Sequence, residues 1–198
     1  MPGRGCNYRS GTPISVMDKP GIKMTANDPG KWIFGYGSLI WRPGFDFIEQ
    51  RPALLRGAHR SLCVYSIHHR GTRDRPGLVF GLVRGGACRG MAFRVHTENF
   101  PDVNDYLKER EQVTNVYREV SRPIRLPDGQ IVSALTYVVD ETHPQFAGRL
   151  TVDIQEELVR NAHGGAGPNI DYVVNTVRHL QEMGFADRHL QELTRRLG

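Results

Sequence analysis

Cysteine is scarce in this sequence. The 198 residues hold three, Cys6, Cys63 and Cys88. The count is odd and no Cys-x-x-Cys pair occurs, which argues against a disulfide framework and against a zinc knuckle. A reducing compartment such as the cytoplasm suits this usage. No apolar run approaches the roughly 18 residues of a membrane span, and the N-terminus lacks the apolar core of a secretory signal. Basic residues exceed acidic ones only modestly, 26 against 21, without a Lys/Arg-rich run. That excess can steer anions but is weak evidence for nucleic acid. No Gly-x-Ser-x-Gly, His-Glu-x-x-His or P-loop is present, so the usual signatures of a serine hydrolase, a zinc protease and a nucleotide-binding loop are missing. What remains is an ordinary globular composition, 39% hydrophobic and 24% charged, long enough for one domain with a real core.

Residues 1–30 stand apart. They carry four prolines and five glycines and no helical or strand periodicity. Such a stretch has little to bury, so it reads as a flexible extension, with a wrapping arm as the alternative. The domain proper is expected over 31–198.

Lys31–Tyr36 reads as a buried strand, short, aromatic-rich and closed by glycine. Leu54–Ser66, Leu78–Val83 and Met91–Val95 read as further strands, with Gly85-Gly86 as a turn between the last two. The period then changes to helical over Pro101–Glu111, where Pro101 suits a first turn. Tyr117–Leu126 and Gln130–Val139 flank Pro127-Asp128-Gly129, a hairpin signal. The last third is helical. Asp153 is a possible N-cap for a helix with Ile154, Leu158 and Ala162 on one face. Asn169 is expected to cap a second helix with the stripe Ile170, Val173, Val174, Val177 and Leu180. Asp187 is expected to cap a third, with Leu190, Leu193 and Leu197. Strands first and helices later predict an α+β domain.

Four segments are candidates for chemistry. In Gly35-Tyr36-Gly37-Ser38-Leu39 the glycines allow a sharp turn whose free N–H groups suit a carboxylate or an oxyanion. A phosphate would fit as well, but for this stretch on its own a plain strand-end turn is the expected reading. Glu111 continues the face of Val103 and Leu107, so its carboxyl is expected to be desolvated, as a general acid/base near neutral pH requires. Its neighbour Arg110 is expected on another face. On periodicity alone the expected reading is instead a helix-end glutamate that turns to solvent or pairs with one of the 26 basic residues. His163–Asn169 is expected to be a helix C-cap followed by an N-cap, with a flexible ligand loop as the alternative. His68-His69-Arg70-Gly71-Thr72 is expected to be a solvated loop by default, or a polar loop closing over a substrate. No metal site is expected, because adjacent strand histidines face opposite sides.

Taken together, Trp32–Trp41, the loop Ser66–Gly77, Arg89–Arg94, Tyr106–Glu111 and Gly164–Tyr172 resemble the ChaC-type gamma-glutamylcyclotransferases. The resemblance runs from about Trp32 to the end, with the motifs in order. It implies a small mixed β-barrel with flanking helices. It implies cleavage of glutathione to 5-oxoproline and cysteinyl-glycine, with no cofactor. It also implies that Gly35, Tyr36, Gly37, Ser38, Leu39 and Ile40 bind the gamma-glutamyl end and that Glu111 is catalytic. Some relatives carry glycine just after this glutamate. Here Asn115 stands in that stretch, and asparagine tolerates a left-handed backbone. A cyclotransferase for other gamma-glutamyl amines and a non-catalytic binding module are the alternatives.

Overall fold

The computed structural model describes residues 28–198. Of the extension expected over 1–30, residues 1–27 lie outside the described residues. Asp28 is already tied to the domain. Its carboxylate accepts bonds from the N–H groups of Gly30 and Thr97 and from the Thr97 hydroxyl.

The expected α+β architecture is present. Five strands close a mixed barrel in the order β1-β3-β2-β4-β5. They are β1 (Lys31–Gly35), β2 (Glu49–Ser66), β3 (Gly77–Val95), β4 (Tyr117–Arg125) and β5 (Ile131–Val139). All ladders are antiparallel except β1 with β5, which closes the barrel. In β1, Ile33 and Phe34 face opposite sides and are both buried, because each packs into a separate hydrophobic cluster. The β4–β5 hairpin turns at Pro127-Asp128-Gly129, as its sequence predicts, with Gly129 at φ 89°.

Helix α1 (Phe100–Glu111) crosses from β3 to β4, and Pro101 sits in its first turn. Helices α2 (Val152–Asn161), α3 (Asn169–Glu182) and α4 (Arg188–Leu197) follow, with two-residue strands β6 (His163–Gly164) and β7 (Gly167–Pro168) between α2 and α3. No helix among the described residues is long and apolar enough to cross a membrane.

Several expectations are corrected. Gly85-Gly86 is not a turn. Both glycines have positive φ, opposite a register shift at Arg56/Ala58, so the extra residue kinks one long strand instead of reversing it. The cap of α2 is Thr151, whose hydroxyl accepts from Ile154 N–H, rather than Asp153. The buried face of α2 is also rotated. It runs through Gln155 and Val159, and Ile154 is exposed. Gln155 can be buried because its amide donates to the Leu62 carbonyl and its oxygen meets His189. In α3, Val173, Val177 and Leu180 are buried as expected, but polar Asn169 and Thr176 share their face and Val174 is largely exposed. In α4 the cap Asp187 and the stripe Leu190, Leu193, Leu197 agree with the sequence.

Candidate active site

The end of β1 opens a cavity of about 320 Å³. After Gly35 the chain passes through Tyr36 and Gly37 into a 3-10 turn, Ser38–Ile40. Ile40 and Trp41 close this turn by donating to the carbonyls of Gly37 and Ser38. The first N–H groups of such a turn have no partner within it. Tyr36, Gly37, Ser38 and Leu39 line the cavity. Gly35 and Ile40 do not. Gly35 is the last residue of β1, and Ile40 packs into the core. The exit of the turn is fixed to α3 by Trp41 Nε1, which donates to Thr176 Oγ1 at 3.1 Å.

Helix α1 brings Glu111 to the same cavity. Val103 and Leu107 are buried, and Glu111 continues their face with its side chain only 18% exposed. Burial pushes the carboxyl above its ordinary range, and the Arg110 cation opposes that rise. Arg110 does not point away, as its position on the helix predicts. Its side chain bends back, placing Nε 3.3 Å from Glu111 Oε1. An arginine has enough rotatable bonds to leave the face its Cα occupies, which a helical wheel does not represent. In the loop between α1 and β4, Asn115 has φ 58°, the left-handed conformation for which it is suited.

Phenols form much of the remaining wall. Tyr36, Tyr117, Tyr137 and Tyr172 line the cavity and are buried. Two of them bind one residue of β3. Tyr117 Oη donates to the Phe80 carbonyl at 2.7 Å, and Phe80 N–H donates to Tyr172 Oη at 3.0 Å. These bonds divide the labour: Tyr117 has spent its proton, whereas Tyr172 accepts and keeps its own proton for another acceptor. Burial is the first cause that keeps all four phenols protonated. The sequence reading missed Tyr117, Tyr137 and Tyr172. A signal existed for Tyr172, since Asn169, Tyr172 and Thr176 recur at helical spacing beside an apolar stripe.

The far side is a clasp between two loops. Gly165 and Ala166 donate to the carbonyls of His68 and His69. Arg70 is buried, donates to the Pro168 carbonyl and stacks over the Tyr172 ring. The expected cap role of 163–169 is therefore corrected. Asn169 is the first residue of α3, and its side chain binds both backbone groups of Leu78, at 2.6 and 2.8 Å. Gly164 does not cap α2 either. A Cβ there would lie 2.5 Å from backbone atoms of His69, Arg70 and Gly71, so only glycine allows the two loops to close. The solvated-loop expectation for 68–72 holds for His68, His69 and Thr72, which are exposed, and is corrected for Arg70 and Gly71, which are buried.

The cavity's charge is lopsided. Arg42, Arg70 and Arg110 line it with His68 and His69, and Glu111 is the one carboxylate among the lining residues. Burial holds His69 below its usual range, so it adds little charge at neutral pH. Such a wall suits an anionic ligand. One carboxylate beside arginines gives no donor set for a metal, and the described residues contain no group of three His, Cys, Asp or Glu side chains placed to hold one.

Comparison with known proteins gives one family. The ChaC-like protein family matches residues 31–197. A glutathione-specific gamma-glutamylcyclotransferase of Escherichia coli is 33% identical over 162 residues, which cover 82% of this chain and 70% of that protein. The human glutathione-specific gamma-glutamylcyclotransferase 1 is 31% identical, covering 94% of this chain and 88% of its own. Among solved structures, the yeast gamma-glutamyl cyclotransferase specific to glutathione superposes with a TM-score of 0.78 at 22% identity, over 86% of this chain and 96% of that one, and so shares its fold.

Proposed function

Because this chain belongs to the ChaC-like family, we propose that it is a glutathione-specific gamma-glutamylcyclotransferase, a lyase that releases 5-oxoproline and cysteinyl-glycine. One observation supports the chemistry above the others. A single desolvated carboxyl, Glu111, lies in a cavity whose other charged side chains are cationic.

The reaction needs little more. The substrate's own α-amine attacks its γ-carbonyl carbon. The new C–N bond closes a five-membered lactam, and the old C–N bond to the cysteinyl nitrogen breaks. Attacking and attacked atoms are already linked, so the protein has chiefly to hold a folded conformer. The amine is largely protonated at neutral pH and must lose a proton before it attacks. In this proposal the ammonium's first proton passes to solvent, Glu111 takes the second as the new C–N bond forms, and the resulting carboxylic acid gives it to the departing nitrogen, which regains its other proton from solvent. A carboxyl raised by burial is a stronger base than an exposed one, and it is readily reprotonated.

The two carboxylates of glutathione suit the arginine-rich wall. We assign the gamma-glutamyl end to the segment Gly35–Ile40, with the open N–H groups of Gly37–Leu39 and the spare Tyr172 proton as its donors. Gly35 and Ile40 act behind the wall by fixing the shape of the turn.

The test is Glu111→Gln assayed with reduced glutathione. Loss of general acid/base catalysis costs roughly 10²–10⁴-fold, so kcat should fall at least that far while the protein stays folded. Chromatography of the products should give 5-oxoproline and cysteinyl-glycine. Free glutamate would indicate hydrolysis. Turnover of other gamma-glutamyl amines at the same kcat/KM would remove the glutathione specificity. A folded Glu111→Gln protein with wild-type kcat would remove the mechanism.

A further inference from the structure

We propose that Arg110 is the positioning residue of this site, a single guanidinium that sets where Glu111 stands relative to the turn at Ser38. The inference rests on the reading of Glu111 as the acid/base. The geometry is specific. Nη2 of Arg110 donates to Ser38 Oγ at 2.8 Å. Nη1 donates to the carbonyls of Arg42 and Pro43 at 2.8 and 3.1 Å and to Tyr106 Oη at 3.0 Å. Nε lies 3.3 Å from Glu111 Oε1. All three nitrogens are thus engaged, and they reach three separate pieces of chain: the 3-10 turn, the loop after it, and the last turn of α1.

The loop is fitted to this arrangement. The Tyr106 hydroxyl that shares Nη1 leaves no room for a Cβ on Gly44, which has φ +78°. Residues 42–44 therefore wrap closely around the Arg110–Tyr106 pair. The donor fork matters more than the charge for this purpose. A planar guanidinium presents five N–H groups in fixed directions, whereas an ammonium is a compact point charge that cannot span the same acceptors. The substrate would be held by the turn and deprotonated from the helix. The distance between those two elements is what the fork fixes.

The charge has a second, separable effect. Glu111 is surrounded by Arg110 from α1, Tyr36 from the end of β1, Tyr117 from β4, Tyr137 from β5 and Tyr172 from α3. The phenols are neutral in the working pH range, so Arg110 is the one cation in this set. It lowers the Glu111 pKa against burial. Without it that pKa rises, the deprotonated base becomes rarer at a given pH, and the acid limb of the rate profile moves to higher pH.

Arg110→Lys, Arg110→Met and Ser38→Ala in the full chain separate the two effects. Each is measured for kcat, KM, melting temperature and the pH dependence of kcat/KM with glutathione. Small misplacements cost about 10²-fold, so Arg110→Lys should lose activity on that order with the acid limb where it was. Arg110→Met should lose at least as much and move the limb upward. Ser38→Ala should lose less, and its effect should not add to that of Arg110→Lys, because both remove the same bond. A purely structural role predicts a lower melting temperature, an unmoved limb and unchanged turnover per folded molecule. A folded Arg110→Met with the wild-type limb and wild-type kcat/KM overturns the proposal. Where Arg110→Met does not fold, Arg110→Lys decides, and wild-type kcat/KM in it is the overturning result. Glu111→Gln run alongside distinguishes the failures. An active Glu111→Gln rejects the reading of Glu111 itself, whereas an inactive one beside wild-type Arg110 variants rejects only the role of Arg110.

Discussion

The last turn of α1 and the face of α4 are built from the same two residue types and behave oppositely. In α1, Arg110 and Glu111 are adjacent, and burial raises the carboxyl above its ordinary range. In α4, Glu192 accepts from Arg195 and Arg196 at 2.8 Å, and these bonds pull its carboxyl down to about 2. The difference lies in what surrounds each pair. Around α4 the partners are solvated and extend into a surface network through Arg196 to Asp153 and Glu156. Around Glu111 the buried face of α1 and the phenols leave little of the carboxyl in contact with solvent. Its single guanidinium is shared with four other acceptors. A carboxyl beside an arginine is thus pushed up when it is enclosed and its cation is shared. The pair remains a weak surface contact when both groups face solvent.

The largest expected break in this comparison is Glu111→Gln. Beyond the loss of turnover, its melting temperature should exceed wild type at high pH. A carboxyl whose folded pKa is raised destabilises the native state once it must ionise. Wild-type stability from this group is therefore full below the ordinary glutamate pKa and is lost as pH rises through the folded value. Calorimetry across pH should show the gap widening upward in pH and closing toward acid. An inverted trend would mean that Glu111 is stabilised as the anion.

Next in size is Gly164→Ala, which attacks the enclosure and not the pair. The new methyl meets three backbone atoms of the facing loop. Overpacking of this kind costs about 1–3 kcal/mol, and the opened clasp should lower kcat/KM with the melting temperature. Unchanged denaturant midpoints and kinetics would show that the clasp is dispensable.

The α4 side should respond weakly. Asp187→Ala removes the cap that accepts from Leu190 N–H and should cost about 1 kcal/mol in denaturant unfolding, with kcat unchanged. Smallest is Glu192→Gln. The folded carboxyl is depressed, so its contribution exists above the ordinary glutamate pKa and fades as pH falls toward about 2. At neutral pH the melting temperature should drop only slightly, and activity should not change. Added salt should erase even that difference. A large effect on turnover would end the contrast between the two helices.

Local pattern carried much of this fold into the sequence. The strand at Lys31, the hairpin at Pro127-Asp128-Gly129, the cap at Asp187 and the leucines of α4 were readable because each depends on neighbours within a few residues. The place of Glu111 on the buried face of α1 and the turn at Tyr36–Leu39 were readable by helical spacing and by glycines, but singling them out as a site took the family resemblance. Asn115 was readable as a left-handed residue. Roles set by distant partners were hidden. Gln155 is buried because the Leu62 carbonyl and His189 receive it, and Asn169 leaves its capping position because Leu78 offers two backbone groups across the fold. Gly164 is a glycine because of a loop some 90 positions earlier in the chain. Tyr117 and Tyr172 acquire opposite hydrogen-bonding roles from the two polar groups of Phe80. Arg110 bends from its own face toward Ser38. The sequence by itself determined the periodicities, the turn chemistry and the residue types at the site, because these rest on local sterics and spacing. Which polar groups meet, and which lose their water, was decided only when the barrel closed and set residues far apart in the chain within hydrogen-bonding distance.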